Sequence, residues 1–144
     1  MSTGQQPSHA ELDAFLAEPR QAIFATNHAG NAPQLSPVWY EWQDGALYVS
    51  TSANSLKARD VALDKNVSVC VDGGSGDYRY AAMSGEVEIV PYGAQRQEEM
   101  RYRIIRKYHD SDESARAYYD ASAAEENILI VLHPSRIVYK DFNS

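Results

Sequence analysis

The sequence contains a single cysteine, Cys70, among its 144 residues. A lone cysteine excludes a disulfide and a cysteine-rich zinc site within these residues. The four histidines, His9, His28, His109 and His133, are scattered, and no two have the spacing typical of metal ligands, so no metal site is predicted. Cys70 falls in a strand pattern, and we expect a small buried side chain there rather than a reactive thiol.

Long hydrophobic runs and an excess of positive charge are also missing. No apolar run approaches the roughly 20 residues that span a bilayer. The first ten residues have neither the basic start nor the apolar segment of a secretory signal. We therefore expect a cytoplasmic protein with no membrane segment. The net charge of −7 argues against nucleic-acid binding, which depends on neutralising phosphates.

The length and the residue pattern predict one mainly-β domain. Residues 1–8 are expected to form a flexible tail, and residues 9–144 the domain itself. The turn Asp44-Gly45 predicts a hairpin between two short strands. Six strands are predicted, over 22–27, 33–43, 46–51, 66–71, 78–90 and 127–132. His133-Pro134 is predicted to break the last strand, which resumes at 137–139. Four helices are predicted, over 9–17, from 52 or 54 to 63, over 93–109 and over 112–124. This pattern is typical of an α+β fold built on an antiparallel barrel with flanking helices.

The segment from Ser50 to Asp60 is the strongest candidate for a binding site. It places four hydroxyl groups at the end of a strand and the start of a helix, followed by Lys57 and Arg59. A helix N-terminus offers free N–H groups and partial positive charge, to which hydroxyls and cations add further phosphate ligands. The alternative is an ordinary helix cap with two solvated cations.

Aromatic and basic residues form two further clusters. Trp39, Tyr40 and Trp42 lie in the second predicted strand, while Tyr78 and Tyr80 open the fifth. These rings could line a site for a planar ligand, although packing in a core or a dimer interface explains them more simply. Five basic side chains fall within one predicted helix and are expected to solvate its surface, with contact to an acidic ligand tail as the alternative: Arg96, Arg101, Arg103, Arg106 and Lys107.

Several stretches together resemble the pyridoxamine 5'-phosphate oxidase-like split-barrel superfamily. They occur in the same order as in that superfamily, and the likeness covers about residues 10–142. The stretches are residues 33–40, Asp44-Gly45, 47–51, 57–61, 67–72, Tyr78-Arg79-Tyr80, 84–87 and 129–141. Within the superfamily, the chain most resembles the branch of short oxidoreductases that use the deazaflavin coenzyme F420.

The resemblance implies a homodimer with two cofactor sites between the subunits. Ser50, Thr51, Lys57 and Arg59 correspond to the residues that hold the cofactor phosphate. The strand that runs along the ring system corresponds to Ser36, Pro37, Val38 and Trp39. Tyr78 and Tyr80 correspond to residues that approach from the other subunit.

The implied reaction is hydride transfer from the reduced deazaflavin to an electron-poor small molecule such as an enone, a quinone or a conjugated pigment. The cofactor carries this chemistry, and no catalytic acid or base is evident in the sequence. Three alternatives remain open: an FMN-dependent oxidoreductase of the same fold, a non-catalytic flavin or deazaflavin carrier, and a haem binder. A haem would need an axial ligand, for which only His28 and His133 lie near strands.

Overall fold

A computed structural model of the protein describes residues 9–143. The predicted flexible tail, residues 1–8, lies outside the described residues. The helices are α1 His9–Ala17, α2 Leu56–Leu63, α3 Gln95–Lys107 and α4 Asp112–Ala121. The strands are β1 Ala22–Thr26, β2 Gln34–Val38, β3 Glu41–Gln43, β4 Ala46–Ser52, β5 Asn66–Asp72, β6 Arg79–Val90 and β7 Asn127–Asp141. None of these helices has the length and apolar character needed to cross a membrane.

The described residues form one sheet of seven antiparallel strands, in the order β2-β1-β5-β6-β7-β4-β3. The predicted mainly-β fold with four helices is confirmed, but the strand count of six is wrong. The predicted strand over 33–43 is two strands, β2 and β3, which lie at opposite edges of the sheet. Only Trp39 and Tyr40 connect them.

This two-residue connection explains the curl of the sheet. The ends of β2 and β3 are separated by at most about 11 Å of extended chain, so the two edges must come close together and the sheet closes into a half-barrel. The chain passes from one edge of the sheet to the other at Tyr40, whose side chain is fully buried and whose hydroxyl donates a hydrogen bond to the Leu16 carbonyl at 2.9 Å. The Asp44-Gly45 turn has positive φ at both residues, as the predicted hairpin requires.

The core fills the concave side of this sheet. On β5, Val67, Val69 and Val71 face inward and alternate with exposed residues. Helix α1 covers one end with Leu12, Phe15 and Leu16, all of them buried. The remaining buried apolar residues of this core come from β1, the connection between β2 and β3, β4, α2, β6 and β7: Ala22, Phe24, Tyr40, Leu47, Val49, Val61, Ala81, Met83, Val87, Ile130 and Leu132.

Two local predictions about the sheet are corrected. Strand β7 runs without a break from Asn127 to Asp141, although His133-Pro134 was predicted to interrupt it. The irregularity is a bulge, and β6 shifts register opposite it between Ser84 and Gly85. Cys70 is exposed rather than buried, because it lies on the outward face of β5 between the inward valines.

The start of α2 also differs from its prediction. The cap is Ser55, whose hydroxyl accepts a hydrogen bond from the Ala58 N–H at 3.2 Å, and neither Ser52 nor Asn54 holds this position. Ser55 is fixed in turn by the Thr51 hydroxyl, which donates to its oxygen at 3.0 Å. The end of β4 and the first turn of α2 are therefore one connected unit.

Candidate functional site

A cavity of about 430 Å³ opens where the end of β2, the end of β4 and the helices α2, α3 and α4 meet. Its volume lies within the range of about 300–1,000 Å³ found for small-molecule and cofactor sites. The lining residues are Gln21, Pro37, Val38, Trp39, Ser50, Thr51, Ser52, Lys57, Arg101, Ile104, Ile105, Tyr118, Ser122, Glu125 and Asn127.

One side of the cavity is a cluster of hydroxyl groups around an ammonium group. Ser50, Thr51 and Ser52 come from β4, and Lys57 from the first turn of α2. The Lys57 ammonium donates to Thr51 Oγ1 at 3.5 Å and forms no ion pair within residues 9–143. Partial burial lowers the pKa of Lys57 from its ordinary value. This group can bind an anion without first breaking an internal ion pair.

Arg59 does not join this cluster in the single chain. Residues two positions apart are separated by about 200° around a helix, so Lys57 and Arg59 point in nearly opposite directions. Arg59 is exposed and does not line the cavity. Its predicted contact with a phosphate stays a prediction.

A buried carboxylate next to this cluster faces away from the cavity. Asp60 is 4% exposed and accepts hydrogen bonds from the Thr26 hydroxyl at 2.7 Å and from His28 Nδ1 at 2.8 Å. The His28 hydrogen bond is the main cause that holds the pKa of Asp60 below its ordinary value. Asp60 thus anchors α2 to β1 and leaves Lys57 without a neutralising neighbour.

Another part of the cavity lining is a wall of aromatic rings, formed by Trp39 and Tyr118 with Tyr108 behind Trp39. Trp39 stacks on Tyr108 with ring centroids 4.8 Å apart and an interplanar angle of 6°, and Tyr118 lies 5.4 Å from Trp39. The Tyr108 hydroxyl donates to the Arg20 carbonyl at 2.5 Å, which fixes the ring beneath Trp39. The wall offers a rigid apolar surface to a planar ligand.

Of the remaining predicted site residues, some line the cavity and others do not. Pro37 and Val38 line the cavity beside Trp39. Ser36 does not, since it lies further along β2 opposite Phe24, with its Oγ buried and without a hydrogen-bond partner in the described part of the chain. Tyr78 and Tyr80, around the start of β6, do not line the cavity of their own chain. Their approach from a second subunit stays a prediction.

Arg101 lines the cavity, although contact with a ligand was only the alternative predicted for this residue from the sequence. The prediction that its side chain solvates a helix surface is wrong, because Arg101 is 4% exposed. It shares the buried face of α3 with Gln97, Ile104 and Ile105. Their spacing of four, seven and eight residues from Gln97 is the apolar-face pattern of a helix and was the signal available in the sequence.

No cluster of three potential metal-ligating side chains occurs among residues 9–143. The two histidines considered as haem ligands do not line the cavity. Each instead contacts a carboxylate, His28 with Asp60 and His133 with Glu88, the latter at 3.2 Å. Neither histidine therefore provides an axial ligand in the cavity of its own chain.

Comparisons with known proteins agree with this architecture. Residues 8–141 match the family model described as pyridoxamine 5'-phosphate oxidase. A comparison with curated proteins gives no match. The fold is similar to that of a conserved hypothetical protein from Mycobacterium tuberculosis, with a TM-score of 0.81 and 23% sequence identity over 96% of this chain and 88% of that one.

Two further solved structures share the fold. An F420 reductase has a TM-score of 0.69 and 21% identity, over 92% of this chain and 98% of that one. A haem storage protein from Vibrio cholerae has a TM-score of 0.70 and 14% identity, over 92% of this chain and 94% of that one. Identities this low describe a common fold, on which different ligands are bound.

Proposed function

The chain belongs to the pyridoxamine 5'-phosphate oxidase family, and from that premise we propose that it is an oxidoreductase that uses the deazaflavin coenzyme F420. Its substrate is an electron-poor small molecule such as an enone, a quinone or a conjugated pigment. The fold that it shares with an F420 reductase over nearly the whole of both chains supports this cofactor.

One observation carries the proposal: an unpaired ammonium group, three hydroxyls and a stacked tryptophan line the same cavity. F420 and FMN both combine a phosphate with a planar ring system. Lys57, Ser50 and Thr51 suit the phosphate, because a cation and hydroxyl donors form charge-assisted hydrogen bonds with it. Trp39 suits the ring system, since Tyr108 holds its indole in place.

When bound, the reduced ring of the cofactor supplies a hydride. The residues of this chain would bind the cofactor and orient its ring. Pro37 and Val38, at the end of β2, extend the apolar surface that begins at Trp39, and this surface excludes water from one face of the ring. Hydride transfer needs no nucleophilic side chain, and we propose that solvent supplies the proton that accompanies the hydride.

The proposal includes a homodimer. The outward face of the sheet carries a groove of about 370 Å³ lined by apolar side chains that include Ile23, Leu35, Ala82 and Val138. Ile23 is 39% exposed and Leu35 61% exposed. A contiguous apolar patch of this kind is typical of a protein interface, and a second copy of the chain is the occupant that we propose. In such a dimer, Tyr78 and Tyr80 would contribute to the site of the other subunit.

Titration with F420 and with FMN, followed by ligand fluorescence, tests the cofactor assignment. Lys57→Ala is expected to weaken binding by about 1.5–3 kcal/mol, the range for a hydrogen bond to a charged group. Arg96→Ala is the matched control, because it removes the same charge from the surface outside the cavity. Arg59→Ala, compared with both, measures the contribution predicted for Arg59.

Each result of the titration has a defined meaning. Binding of F420 without FMN supports the proposal, whereas tight binding of FMN alone replaces the cofactor and retains the fold. An unchanged dissociation constant in Lys57→Ala would remove this residue from the site. Turnover of the reduced cofactor with a panel of acceptors then separates an enzyme from a non-catalytic carrier.

A further inference from the structure

Arg101 is a nearly buried cation that lines the cavity from a different side than Lys57. It belongs to α3, whereas Lys57 belongs to α2. Arg101 Nη2 donates to the Tyr119 carbonyl at 3.0 Å and to Ser122 Oγ at 2.6 Å, and its guanidinium lies 4.3 Å from the centre of the Tyr119 ring. All of these partners are uncharged.

The negative charge available to Arg101 is incomplete. Among residues 9–143, the carboxylate that forms an ion pair with Arg101 is Glu98, whose Oε2 lies 3.9 Å from Arg101 Nη1. This same oxygen accepts a hydrogen bond from the Tyr119 hydroxyl. Glu98 is also partly exposed, so solvent screens its attraction to Arg101. Arg101 also interacts with the Tyr119 side chain, which is uncharged as well. A buried guanidinium whose charge is incompletely neutralised gains free energy when it meets an anion.

Aromatic rings lie beside this cation in the same cavity. Tyr118 precedes the Tyr119 carbonyl that Arg101 contacts, and its ring lies 5.4 Å from that of Trp39. Glu125 also lines the cavity, but it is exposed to solvent and forms no ion pair with Arg101. A flat substrate ring beside Tyr118, next to the cofactor ring proposed to contact Trp39, thus has a cation within the same cavity for an acidic substituent.

We propose that Arg101 binds a carboxylate of the acceptor substrate, so that the substrates of this protein are planar conjugated acids. This inference rests on the proposed oxidoreductase function and names its substrate class. The carboxylate occupies Arg101, while the cofactor phosphate occupies the separate cluster around Lys57. Ser122 acts as a positioning residue, because its oxygen accepts from Arg101 while its own hydroxyl donates to the Tyr118 carbonyl at 2.8 Å.

The test uses two probes that differ only in charge. Cinnamate and cinnamamide have the same ring and the same conjugated chain, but only cinnamate has a carboxylate. Calorimetric titration of the cofactor-loaded protein is expected to show cinnamate binding at least about tenfold more tightly than cinnamamide. Arg101→Gln should abolish this preference. Arg101→Lys should retain part of it, because the point charge stays and the planar fork is lost.

A purely structural role of Arg101 gives a different result. Arg101→Gln would then weaken both probes equally or lower the melting temperature, with no effect on the acid-to-amide ratio. Should Arg101→Gln fail to fold, Arg101→Lys and Ser122→Ala provide the ratio instead. Equal binding of both probes by the unmodified protein would overturn the proposal, as would a ratio that is unchanged in the folded variants.

Cofactor titrations keep this proposal separate from the proposed function. The Arg101 variants are expected to bind F420 or FMN as the unmodified protein does, whereas Lys57→Ala loses cofactor affinity and its acid-to-amide ratio is retained. The Arg101 variants could instead bind the cofactor more weakly and show no change in the acid-to-amide ratio. That result would mean that Arg101 binds an anionic group of the cofactor, and it would overturn the proposed substrate class. Failure of both cofactors to bind would instead refute the proposed function.

Discussion

Lys107 carries its ammonium group into the interior, where three elements meet. Its side chain is 8% exposed. The ammonium donates to the Leu16 carbonyl at 2.9 Å and to the Tyr40 carbonyl at 3.3 Å, and it lies 3.8 Å from the centre of the Tyr40 ring. Glu41 provides a carboxylate at 3.5 Å. Burial nevertheless lowers the pKa of Lys107 to about 8.

This pKa predicts a pH dependence of stability. Between about pH 8 and the ordinary pKa of a lysine, the unfolded chain binds a proton that the folded chain has released, so stability rises with pH. We expect the free energy of unfolding to increase by about 1–2 kcal/mol from about pH 7 to about pH 9.5, relative to Lys107→Met, in which the titrating group is absent. Denaturant unfolding at the two pH values measures it.

Lys65→Met is the control for this prediction, because Lys65 is exposed and its loss should not change the slope. The range ends below the ordinary tyrosine pKa of about 10. Burial raises the pKa of Tyr108 to about 12, and this acts in the opposite direction at higher pH. Parallel pH profiles for the unmodified protein and Lys107→Met would show that the buried ammonium is not the source.

Individual residues were predicted well from the sequence where local pattern decides their environment. The hydroxyl and lysine cluster of Ser50, Thr51 and Lys57 does line one cavity, because a strand end and a helix start are adjacent in the chain. The exposure of Cys70 was mispredicted, although its alternation with Val69 and Val71 already placed it on the other face. Arg101 was predicted to be solvated because its charge was given more weight than its helical spacing from the buried residues of α3.

At the level of elements, the pairing of β6 with β7 depends on one close approach. A side-chain carbon at Gly85 would lie 2.4 Å from the His133 carbonyl oxygen and 2.9 Å from the Ser135 nitrogen. Gly85 pairs with Pro134 and Ser84 with Arg136, which leaves Ser135 as the extra residue of the bulge. Only glycine lets the two backbones meet at this distance.

Gly85→Ala is therefore expected to destabilise the protein by about 1–3 kcal/mol, since the added methyl group meets backbone that cannot move aside without breaking the ladder. The change in the denaturant midpoint measures this cost. Ser84→Ala is the matched control at the neighbouring position, where the contact with Ser135 uses the Ser84 carbonyl rather than its side chain. A denaturant midpoint of Gly85→Ala that stays close to that of the unmodified protein would mean that the bulge tolerates a methyl group.

Most elements follow from local pattern, and the exception has a tertiary cause. Bulky β-forming residues continue from Val38 across the connection to Trp42, and the breaker Pro37 lies inside β2, so nothing local separates β2 from β3. The separation comes from the burial of Tyr40 against α1, a contact between residues 24 positions apart. Long-range contacts of this kind cannot be inferred from one strand's composition.

At the scale of the whole molecule, the exposed apolar face predicts the oligomeric state. Ile23→Asp places a charge in the apolar groove on the outward face of the sheet. It is expected to convert a dimer into a monomer, as measured by sedimentation velocity. Leu63→Asp is the control, because Leu63 is 85% exposed at the end of α2 and does not line the groove.

The same variant tests the shared architecture of the site. If Tyr78 and Tyr80 complete the cavity of the other subunit, the monomeric Ile23→Asp protein should also bind cofactor more weakly. An unmodified protein that sediments as a monomer and still binds cofactor would contradict the dimer. A monomeric variant with full cofactor affinity would confine the site to one chain.

The bend between β2 and β3 also separates the two tryptophans of the chain. Trp39 lies in the cavity wall, whereas Trp42 donates its indole N–H to Asp13 at 2.7 Å, on the side of α1. Replacing Trp42 by phenylalanine leaves a single indole emitter, already in the cavity wall. Because flavins and deazaflavins absorb where tryptophan emits, energy transfer from Trp39 would report their arrival, and the protein needs no attached dye to be observed as it fills.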